Sequence, residues 1–171
     1  MIVILGNGGH AKVCREAFHA WMYHPRNPSI IKSECVEFDI DALPDAKKYV
    51  IGVGDMKLRR ALYGMIGDRL VPVFHPSAVM PEYHHPGPGF QLMAGAIVQP
   101  GCTIGNNVLI NTRASIDHDC IIGDHVHIAP GAILCGGVTV GEGTFIGAGA
   151  IIPEGREVPA GAFVKAGSVF A

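Results

Sequence analysis

The sequence lacks any surplus of basic residues. Its 171 residues include 13 Lys and Arg against 15 Asp and Glu, which gives a net charge of −2 with His neutral. A protein that binds nucleic acid needs clustered positive charge to neutralise phosphates, so DNA and RNA are not expected partners. The sequence also lacks a signal peptide and any apolar run near the roughly 20 residues that cross a membrane. We therefore expect a cytoplasmic protein with no membrane partner.

Cysteine is sparse and odd in number, which argues against a disulfide framework. The five cysteines are Cys14, Cys35, Cys102, Cys120 and Cys135. Free thiols of this kind are typical of proteins in a reducing compartment. Because 49% of the residues are hydrophobic, the chain can bury a sizeable core without disulfides.

From residue 92 onwards the sequence contains a strict six-residue repeat. A branched aliphatic residue holds the same position in thirteen consecutive hexapeptides, from Leu92 to Val164. A second position, four residues later, is mostly small, with Arg156 the exception. Strands repeat every two residues and helices every 3.6, so a period of six indicates a parallel β-helix. With three hexapeptides to a coil, residues eighteen apart should stack about 4.8 Å apart.

Several positions of the repeat are interpreted as structural. Tight corners need residues that tolerate a positive φ, and this explains four recurring glycines, namely Gly105, Gly123, Gly141 and Gly147. Apolar residues expected to point outward, such as Val108, Ile121 and Ile133, favour a parallel homotrimer, because a β-helix is too narrow to enclose a site by itself.

Residues 1–72 differ from the repeat and are typical of a small α/β domain. The expected elements are strands at 2–5, 34–41 and 49–53 and helices at 11–22 and 56–66. The Pro- and Gly-rich segment 73–91 is expected to join this domain to the β-helix.

A glycine turn follows the first strand and opens onto the first helix. It consists of Gly6, Asn7, Gly8, Gly9 and His10. Free backbone N–H groups and the helix dipole at such a turn favour a phosphate. The last glycine of the dinucleotide fingerprint is missing and no acidic residue ends a second strand at the right distance, which argues against NAD. A tight connection without a ligand is the alternative interpretation.

One outward corner of the repeat carries a candidate catalytic group. His118 lies between Asp117 and Asp119, and a carboxylate so close can orient the imidazole and raise its basicity. Gly136 lies eighteen residues later and should stack on His118, where its backbone N–H can donate to an oxyanion. The sequence therefore predicts a base, an orienting carboxylate and a hydrogen-bond donor on one corner.

A zinc site is the competing interpretation of the histidines in this region. His118, His125 and His127 are imidazole ligands of the kind that zinc accepts. Hexapeptide helices with carbonic anhydrase activity use three histidines, but the acid and arginine pattern of that family is not found here. We therefore expect no metal.

Together, these motifs resemble those of the bacterial hexapeptide-repeat sugar O- and N-acetyltransferases. That family includes the sialic-acid O-acetyltransferases and the bacillosamine-pathway N-acetyltransferases of nucleotide-linked amino sugars. The resemblance covers nearly the whole chain and depends on residues 6–13, Gly52-Val53-Gly54-Asp55 with Arg59, His75-Pro76-Ser77-Ala78 and residues 111–123.

The resemblance implies acetyl-CoA as the donor and a homotrimer with active sites between adjacent subunits. It implies that His118 is the general base, that Asp119 supports it and that the Gly136 N–H faces the thioester carbonyl of acetyl-CoA. It places His127 near acetyl-CoA and Asn111 near the acceptor. It also implies that the glycine turn with His10 holds the phosphates of the nucleotide.

We therefore predict a small N-terminal α/β (Rossmann-like) domain at 1–72 that binds a nucleotide sugar, a join at 73–91 and a left-handed parallel β-helix at 92–171. The predicted reaction is direct transfer of an acetyl group from acetyl-CoA to the amine of a nucleotide-linked amino sugar, with a histidine base. O-acetylation of a free sugar such as sialic acid is the first alternative. A non-catalytic trimeric scaffold that binds sugar nucleotides is the second.

Overall fold

The computed structural model describes residues 2–22, 33–36, 43 and 48–171. The first described unit is a parallel sheet with the strand order β2-β1-β3. Its strands are β1 (Ile2–Leu5), β2 (Ser33–Val36) and β3 (Lys48–Ile51). All four residues of β1 are buried, as expected for the central strand. The predicted second strand begins where β2 lies, and its residues 37–41 fall outside the described part.

Two helices accompany this sheet, α1 (Gly9–Met22) and α2 (Met56–Ile66), and a short 3₁₀ helix at Gly67–Arg69 follows α2. Helix α2 begins where the Asp55 carboxylate accepts a hydrogen bond from the Leu58 N–H at 2.8 Å. The predicted strand–helix order is thus confirmed for the described residues. No described helix is long and apolar enough to cross a membrane.

The rest of the chain is a parallel β-helix of hexapeptide repeats with three sheets. Sheet 1 contains β6 (Ile97–Val98), β9 (Ser115–Ile116), β12 (Ile133–Leu134) and β15 (Ile151–Ile152). Sheet 2 contains β7 (Thr103–Ile104), β10 (Ile121–Ile122), β13 (Thr139–Val140) and β16 (Glu157–Val158). Sheet 3 contains β4 (Val73–Phe74), β5 (Gln91–Leu92), β8 (Leu109–Ile110), β11 (His127–Ile128), β14 (Phe145–Ile146) and β17 (Phe163–Val164).

The register of these sheets confirms the stacking of residues eighteen apart. Ile122 pairs with Ile104 on one side and with Val140 on the other. The repeated aliphatic residues are buried, except for the partly buried Ile104, and each fully buried side chain contributes roughly 1.5–3 kcal/mol. Arg156, the exception in the small column, is exposed.

Two details of the predicted core are corrected. Val108 is fully buried in the β-helix core, so it does not point outward. The four recurring glycines at 105, 123, 141 and 147 do not have a positive φ. Glycine is needed there because a side chain would meet the next coil: a Cβ at Gly123 would lie 2.7 Å from the Glu142 nitrogen. Positive φ occurs at other corner residues, including Asp119 and His125.

The α/β unit packs on the outer face of sheet 3. Met93 and Leu109 of the β-helix form one buried cluster with Ile4 and Ala11 of the α/β unit. Strand β4 pairs with β5, so the ladder of sheet 3 begins inside the segment 73–91. The division of the chain at these boundaries stays a prediction.

Candidate active site

The turn between β9 and β10 carries His118 on the corner between sheets 1 and 2. The ring Nδ1 lies 2.9 Å from Asp119 Oδ2. The His118 backbone N–H donates to Asp117 Oδ1 at 2.8 Å, which holds the turn. Asp119 has a φ of 60°, a left-handed conformation that Asp tolerates better than most residues. The side chains of His118 and Asp119 are 59% and 70% exposed, so both can meet a substrate.

The carboxylates beside His118 make its imidazole more basic. The hydrogen bond that His118 donates to the Asp119 carboxylate is the largest cause that raises the pKa of His118, followed by the negative charge of Asp117. Because Nδ1 faces a carboxylate, we assign its proton to that nitrogen in the neutral ring. Nε2 then carries the lone pair, and among the described residues it has no hydrogen-bond partner. The ring is thus arranged as a proton acceptor.

Gly136 lies directly against this ring, as the eighteen-residue stacking predicts. A Cβ at Gly136 would lie 2.7 Å from Cε1 and 2.8 Å from Nε2 of His118, so any side chain would displace the imidazole. The Gly137 N–H donates to the His118 carbonyl at 2.9 Å and keeps the two corners in register. The buried Gly136 donates its own N–H to no acceptor in the described part of the chain.

Two buried thiols support the His118 turn from inside the β-helix. Cys102 Sγ donates to the Asp117 carbonyl at 3.0 Å, and Cys120 Sγ donates to the Cys135 carbonyl at 3.2 Å. Burial raises the pKa of both thiols, that of Cys120 to about 11. They therefore stay protonated and act as packing groups, not as nucleophiles.

Asn111 and His127 lie together on the side of sheet 3. The Asn111 Oδ1 accepts from the Thr112 N–H at 2.8 Å, so its amide NH₂ faces His127 Nε2 at 3.4 Å. His127 Nε2 is therefore the acceptor and Nδ1 carries the proton. Nδ1 is buried and has no partner among the residues that the structure describes, while the residue as a whole is 8% exposed. Burial, followed by the charge of Arg59, lowers the pKa of His127 to about 4.

The glycine turn divides into two kinds of position. Gly6 has a φ of 122°, and a Cβ there would lie 2.8 Å from the Gly52 carbonyl oxygen, so the fold itself requires this glycine. A Cβ at Gly8 or Gly9 would meet no atom of the described residues within 4 Å, and neither has a positive φ. A tight connection alone therefore explains Gly6 but not Gly8 or Gly9.

A buried polar cluster links His10 of this turn to α2 and sheet 3. His10 Nε2 lies 2.8 Å from Gln91 Oε1, and Arg59 Nη1 donates to the same oxygen at 3.1 Å. Gln91 Nε2 donates to the Ile51 carbonyl at 2.8 Å, and Arg59 also donates to the Gly89 carbonyl. Sequence reasoning assigned no function to Arg59 or Gln91. The one signal in the sequence was Gln91 itself. It is polar and lies next to the inward Leu92, at an outward position that would favour an apolar residue if another unit covered the sheet.

The predicted site residues thus fall into two groups. His118, Asp119 and Gly136 share the corner between sheets 1 and 2. Asn111, His127 and the glycine turn lie on the side of sheet 3, which is opposite that corner in a three-sided β-helix. One chain does not bring the two groups together.

The three histidines of the alternative zinc site do not converge either. His118 and His125 lie on different corners, and His127 lies in sheet 3. His125 packs edge-on against the Tyr63 ring of α2, with ring centroids 5.0 Å apart. Within the described residues, no group of three or more His, Cys, Asp or Glu side chains could hold a metal ion.

The chain is similar to known proteins over its repeat and over its whole length. The family described as bacterial transferase hexapeptide (six repeats) matches residues 101–136 and 119–154. By sequence, no curated protein matches.

The similar solved structures cover almost the whole chain. PerB from Caulobacter crescentus, in complex with CoA and GDP-perosamine, is 33% identical, with a TM-score of 0.86 over 99% of this chain and 88% of that one. The acetyltransferase domain of PglB from Neisseria gonorrhoeae FA1090, in complex with acetyl coenzyme A, is 28% identical, with a TM-score of 0.84 over 99% and 90%. WeeI from Acinetobacter baumannii AYE, 22% identical with a TM-score of 0.74 over 99% and 95%, shares the fold.

Proposed function

The chain belongs to the hexapeptide-repeat sugar acetyltransferases, and we propose that it transfers the acetyl group of acetyl-CoA to the amine of a nucleotide-linked amino sugar. The likeness to PerB, a perosamine N-acetyltransferase bound to CoA and GDP-perosamine, supports this substrate class. The left-handed winding of the β-helix is part of the same proposal, because the resemblance of the sequence motifs to this family implies it.

The observation that carries the proposal is the His118 corner. His118 Nε2 accepts a proton from the sugar amine as the amine nitrogen attacks the thioester carbonyl carbon. Asp119 holds the other ring nitrogen and stabilises the imidazolium that forms. The carbon–sulfur bond then breaks, and His118 returns the proton to the CoA sulfur. General-base help of this kind contributes about 10²–10⁴-fold to a rate.

Two N–H groups that lack an acceptor among the described residues, on Gly136 and on His127, fit the acetyl donor. Gly136 N–H has no acceptor in the described chain and would donate to the oxyanion that develops on the thioester. The buried Nδ1–H of His127 also has no partner among the described residues, and a buried donor left unpaired costs about 1–3 kcal/mol. A carbonyl oxygen of acetyl-CoA would pair with it. Asn111, which holds His127 Nε2, would then lie close to both substrates.

A complete site needs a second copy of the chain, because His118 and His127 lie on opposite sides of one β-helix. An outward column on sheet 1, beside the His118 corner, supports a homotrimer. Its members pair in series and are apolar apart from one serine, namely Val79, Ile97, Ser115, Ile133, Ile151 and Val169. Four of the six are exposed in the single chain. An exposed apolar column of this length is typical of a protein interface.

Complementation tests the shared site directly. His118→Ala and His127→Ala chains, each inactive alone, should regain activity when they are unfolded and refolded together, because some sites then combine an intact His118 with an intact His127. Sedimentation of the unmixed protein should give a trimer. A monomer at micromolar concentration, or no recovered activity, would contradict the shared site.

The glycine turn is proposed as the site of the nucleotide diphosphate. Gly8 and Gly9 leave open space beside the start of α1, where backbone N–H groups and the helix dipole favour an anion. Gly9→Val should raise KM for the acceptor and leave KM for acetyl-CoA unchanged. A Cβ at Gly9 has no atom of the described part of the chain within 4 Å, so a loss of affinity would report the ligand and not a distorted turn.

A screen of nucleotide sugars tests the reaction. UDP-, GDP- and dTDP-linked amino sugars are compared for thermal stabilisation and for acetylation, and a ligand at 100 times its Kd adds about 2.7 kcal/mol. We expect one nucleotide-linked amino sugar to be acetylated far faster than its free sugar, because the diphosphate helps to position the amine. Equal kcat/KM for the two would favour O-acetylation of a free sugar, and binding without turnover would favour a scaffold.

A further inference from the structure

Arg59 is a buried cation that the proposed reaction does not use. The residue is 3% exposed, and it makes no ion pair with any of the described residues. Its hydrogen bonds go to the carbonyls of Ile51 and Gly89 and to Gln91. A buried charge without a counter-charge is costly, so its hydrogen bonds must satisfy the guanidinium and fix the groups that accept them.

The orientation of the Gln91 amide follows from its partners. Its NH₂ group donates to the Ile51 carbonyl, and its oxygen accepts from Arg59. A flipped amide would place NH₂ against the guanidinium and oxygen against the carbonyl, and both contacts would be repulsive. Oε1 therefore faces His10.

This orientation decides which nitrogen of His10 carries the proton. An oxygen acceptor at 2.8 Å requires His10 Nε2 to be the donor. The groups that face the ring are Arg59, Gln91, Cys14 and, further away, His127. None of them is a carboxylate. Burial is the largest cause and lowers the pKa of His10. The hydrogen bond to Gln91 opposes this shift and the charge of Arg59 adds to it, so the net pKa is lowered and the ring is neutral near pH 7.

A neutral ring with its proton on Nε2 has a lone pair on Nδ1. No hydrogen bond to Nδ1 of His10 occurs among the described residues. Such a nitrogen can accept a hydrogen bond but cannot donate one, and a diphosphate diester near pH 7 offers no hydrogen. The phosphates are thus left to the backbone N–H groups of the glycine turn.

We propose that Arg59 and Gln91 are positioning residues of the acceptor site, which hold the His10 proton on Nε2 so that Nδ1 accepts a hydrogen bond from a hydroxyl or amine of the nucleotide-linked sugar. The proposal rests on the function proposed above, because it takes the glycine turn as the acceptor site. It makes His10 a residue that selects a hydrogen-bond donor in the acceptor.

The position of the proton is measured without any ligand. Long-range ¹H–¹⁵N spectra of the labelled full chain at pH 7 should show His10 protonated on Nε2 and unprotonated on Nδ1. In Gln91→Leu the preference for Nε2 should weaken or reverse, because the acceptor oxygen is gone. A proton on Nδ1 of the unmodified protein, or a charged ring, would overturn the proposal.

Two substitutions of His10 test the contact. Asn places an oxygen near the position of Nδ1, whereas Ala removes every polar atom. His10→Ala should raise KM for the acceptor roughly 3- to 10-fold, the loss expected for one neutral hydrogen bond, and His10→Asn should stay near the unmodified value. Neither should change KM for acetyl-CoA. Equal losses in the two variants would assign His10 to packing alone and would contradict the proposal.

The pH dependence of a third variant separates positioning from folding. Gln91→Glu keeps a partner for Arg59 but adds a negative charge beside His10, which should raise the pKa of His10. KM for the acceptor should then increase as the pH falls towards 6, while the unmodified protein changes little. A pH profile identical to that of the unmodified protein would overturn the proposal. If no nucleotide-linked sugar is acetylated, the proposed function fails and the Nδ1 contact with it, while the ligand-free spectra still decide the state of His10.

Discussion

His118 lies exposed on a corner of the β-helix with carboxylates beside it, whereas His127 lies buried on the opposite side near a guanidinium. Asp119 and then Asp117 raise the pKa of His118, while burial and then Arg59 lower the pKa of His127 to about 4. The first ring is prepared to take up a proton, and the second is kept from doing so. The same side chain is thus suited to proton transfer in one place and to a fixed N–H donor in the other.

The largest expected effect comes from removing His118, the more basic of these two histidines. His118→Ala should lower kcat by about 10²–10⁴-fold and leave the Kd for acetyl-CoA nearly unchanged, because the ring acts on the proton of the acceptor. Steady-state kinetics and calorimetry with acetyl-CoA check the two parts. Near-normal turnover at pH 7 would move the role of base to another group.

The low pKa of the buried His127 should make the free energy of unfolding fall in acid. The pKa of His127 falls from 6.5 in the unfolded chain to about 4 in the folded one, so its contribution to stability is present above pH 6.5 and is lost as the pH falls through 4. The full contribution is on the order of 3 kcal/mol, roughly a 300-fold change in the folding equilibrium.

His127→Phe removes this titration while it keeps a ring against Phe145, which contacts His127 edge-on. Urea unfolding between pH 7.5 and 4 should therefore show a smaller loss of free energy in the variant. Parallel losses in the two proteins would mean that His127 is not held neutral by the fold. His10 contributes in the same direction and is unchanged in this comparison.

A methyl group added at Gly136, on the neighbouring coil, should displace the His118 ring without removing the carboxylates beside it. Gly136→Ala places a Cβ where it would lie 2.7 Å from His118 Cε1, so the ring must move. We expect kcat to fall about 10- to 100-fold, within the range for a misaligned or lost donor. The adjacent Cys135→Ala serves as the matched control and should retain its turnover. Equal activity in the two variants would contradict the proposed role of Gly136.

The smallest effect should come from the carboxylate that orients His118. Asn tolerates the left-handed backbone of Asp119, so Asp119→Asn should fold normally and reduce kcat roughly 10-fold. Loss of the carboxylate also lowers the pKa of His118. The acidic limb of the kcat/KM profile, where the base becomes protonated, should therefore move to lower pH. A limb that stays in place would assign the titration to a group other than His118.

The repeat explains how much of this arrangement could be predicted from the sequence. The eighteen-residue spacing alone places Gly136 on His118, because every coil has the same length. The same period does not show why a glycine is needed. The prediction of a positive φ at Gly105 and Gly123 was wrong, because glycine is required there by contact with the next coil. Val108 was placed outward although its own column is inward, since an apolar residue fits either face.

The cluster of Arg59, Gln91 and His10 could not be predicted. Its members lie 32 and 81 residues apart along the chain, and they meet only because the α/β unit packs on sheet 3. That packing depends on the shapes of two surfaces and not on a period in the sequence. The low pKa of His127 has the same origin, because it depends on what covers the outer face of the sheet.

The equal length of the coils also limits how this chain can change in length. A deletion of residues 121–126 would keep every later aliphatic residue inward, because one hexapeptide spans one side of the β-helix. It would, however, move every later residue to the neighbouring side of the β-helix. Glu142 would then stack on His118, at the place that Gly136 now holds. The core therefore accepts insertions and deletions in steps of six, whereas the corner that holds the imidazole accepts them only in steps of eighteen.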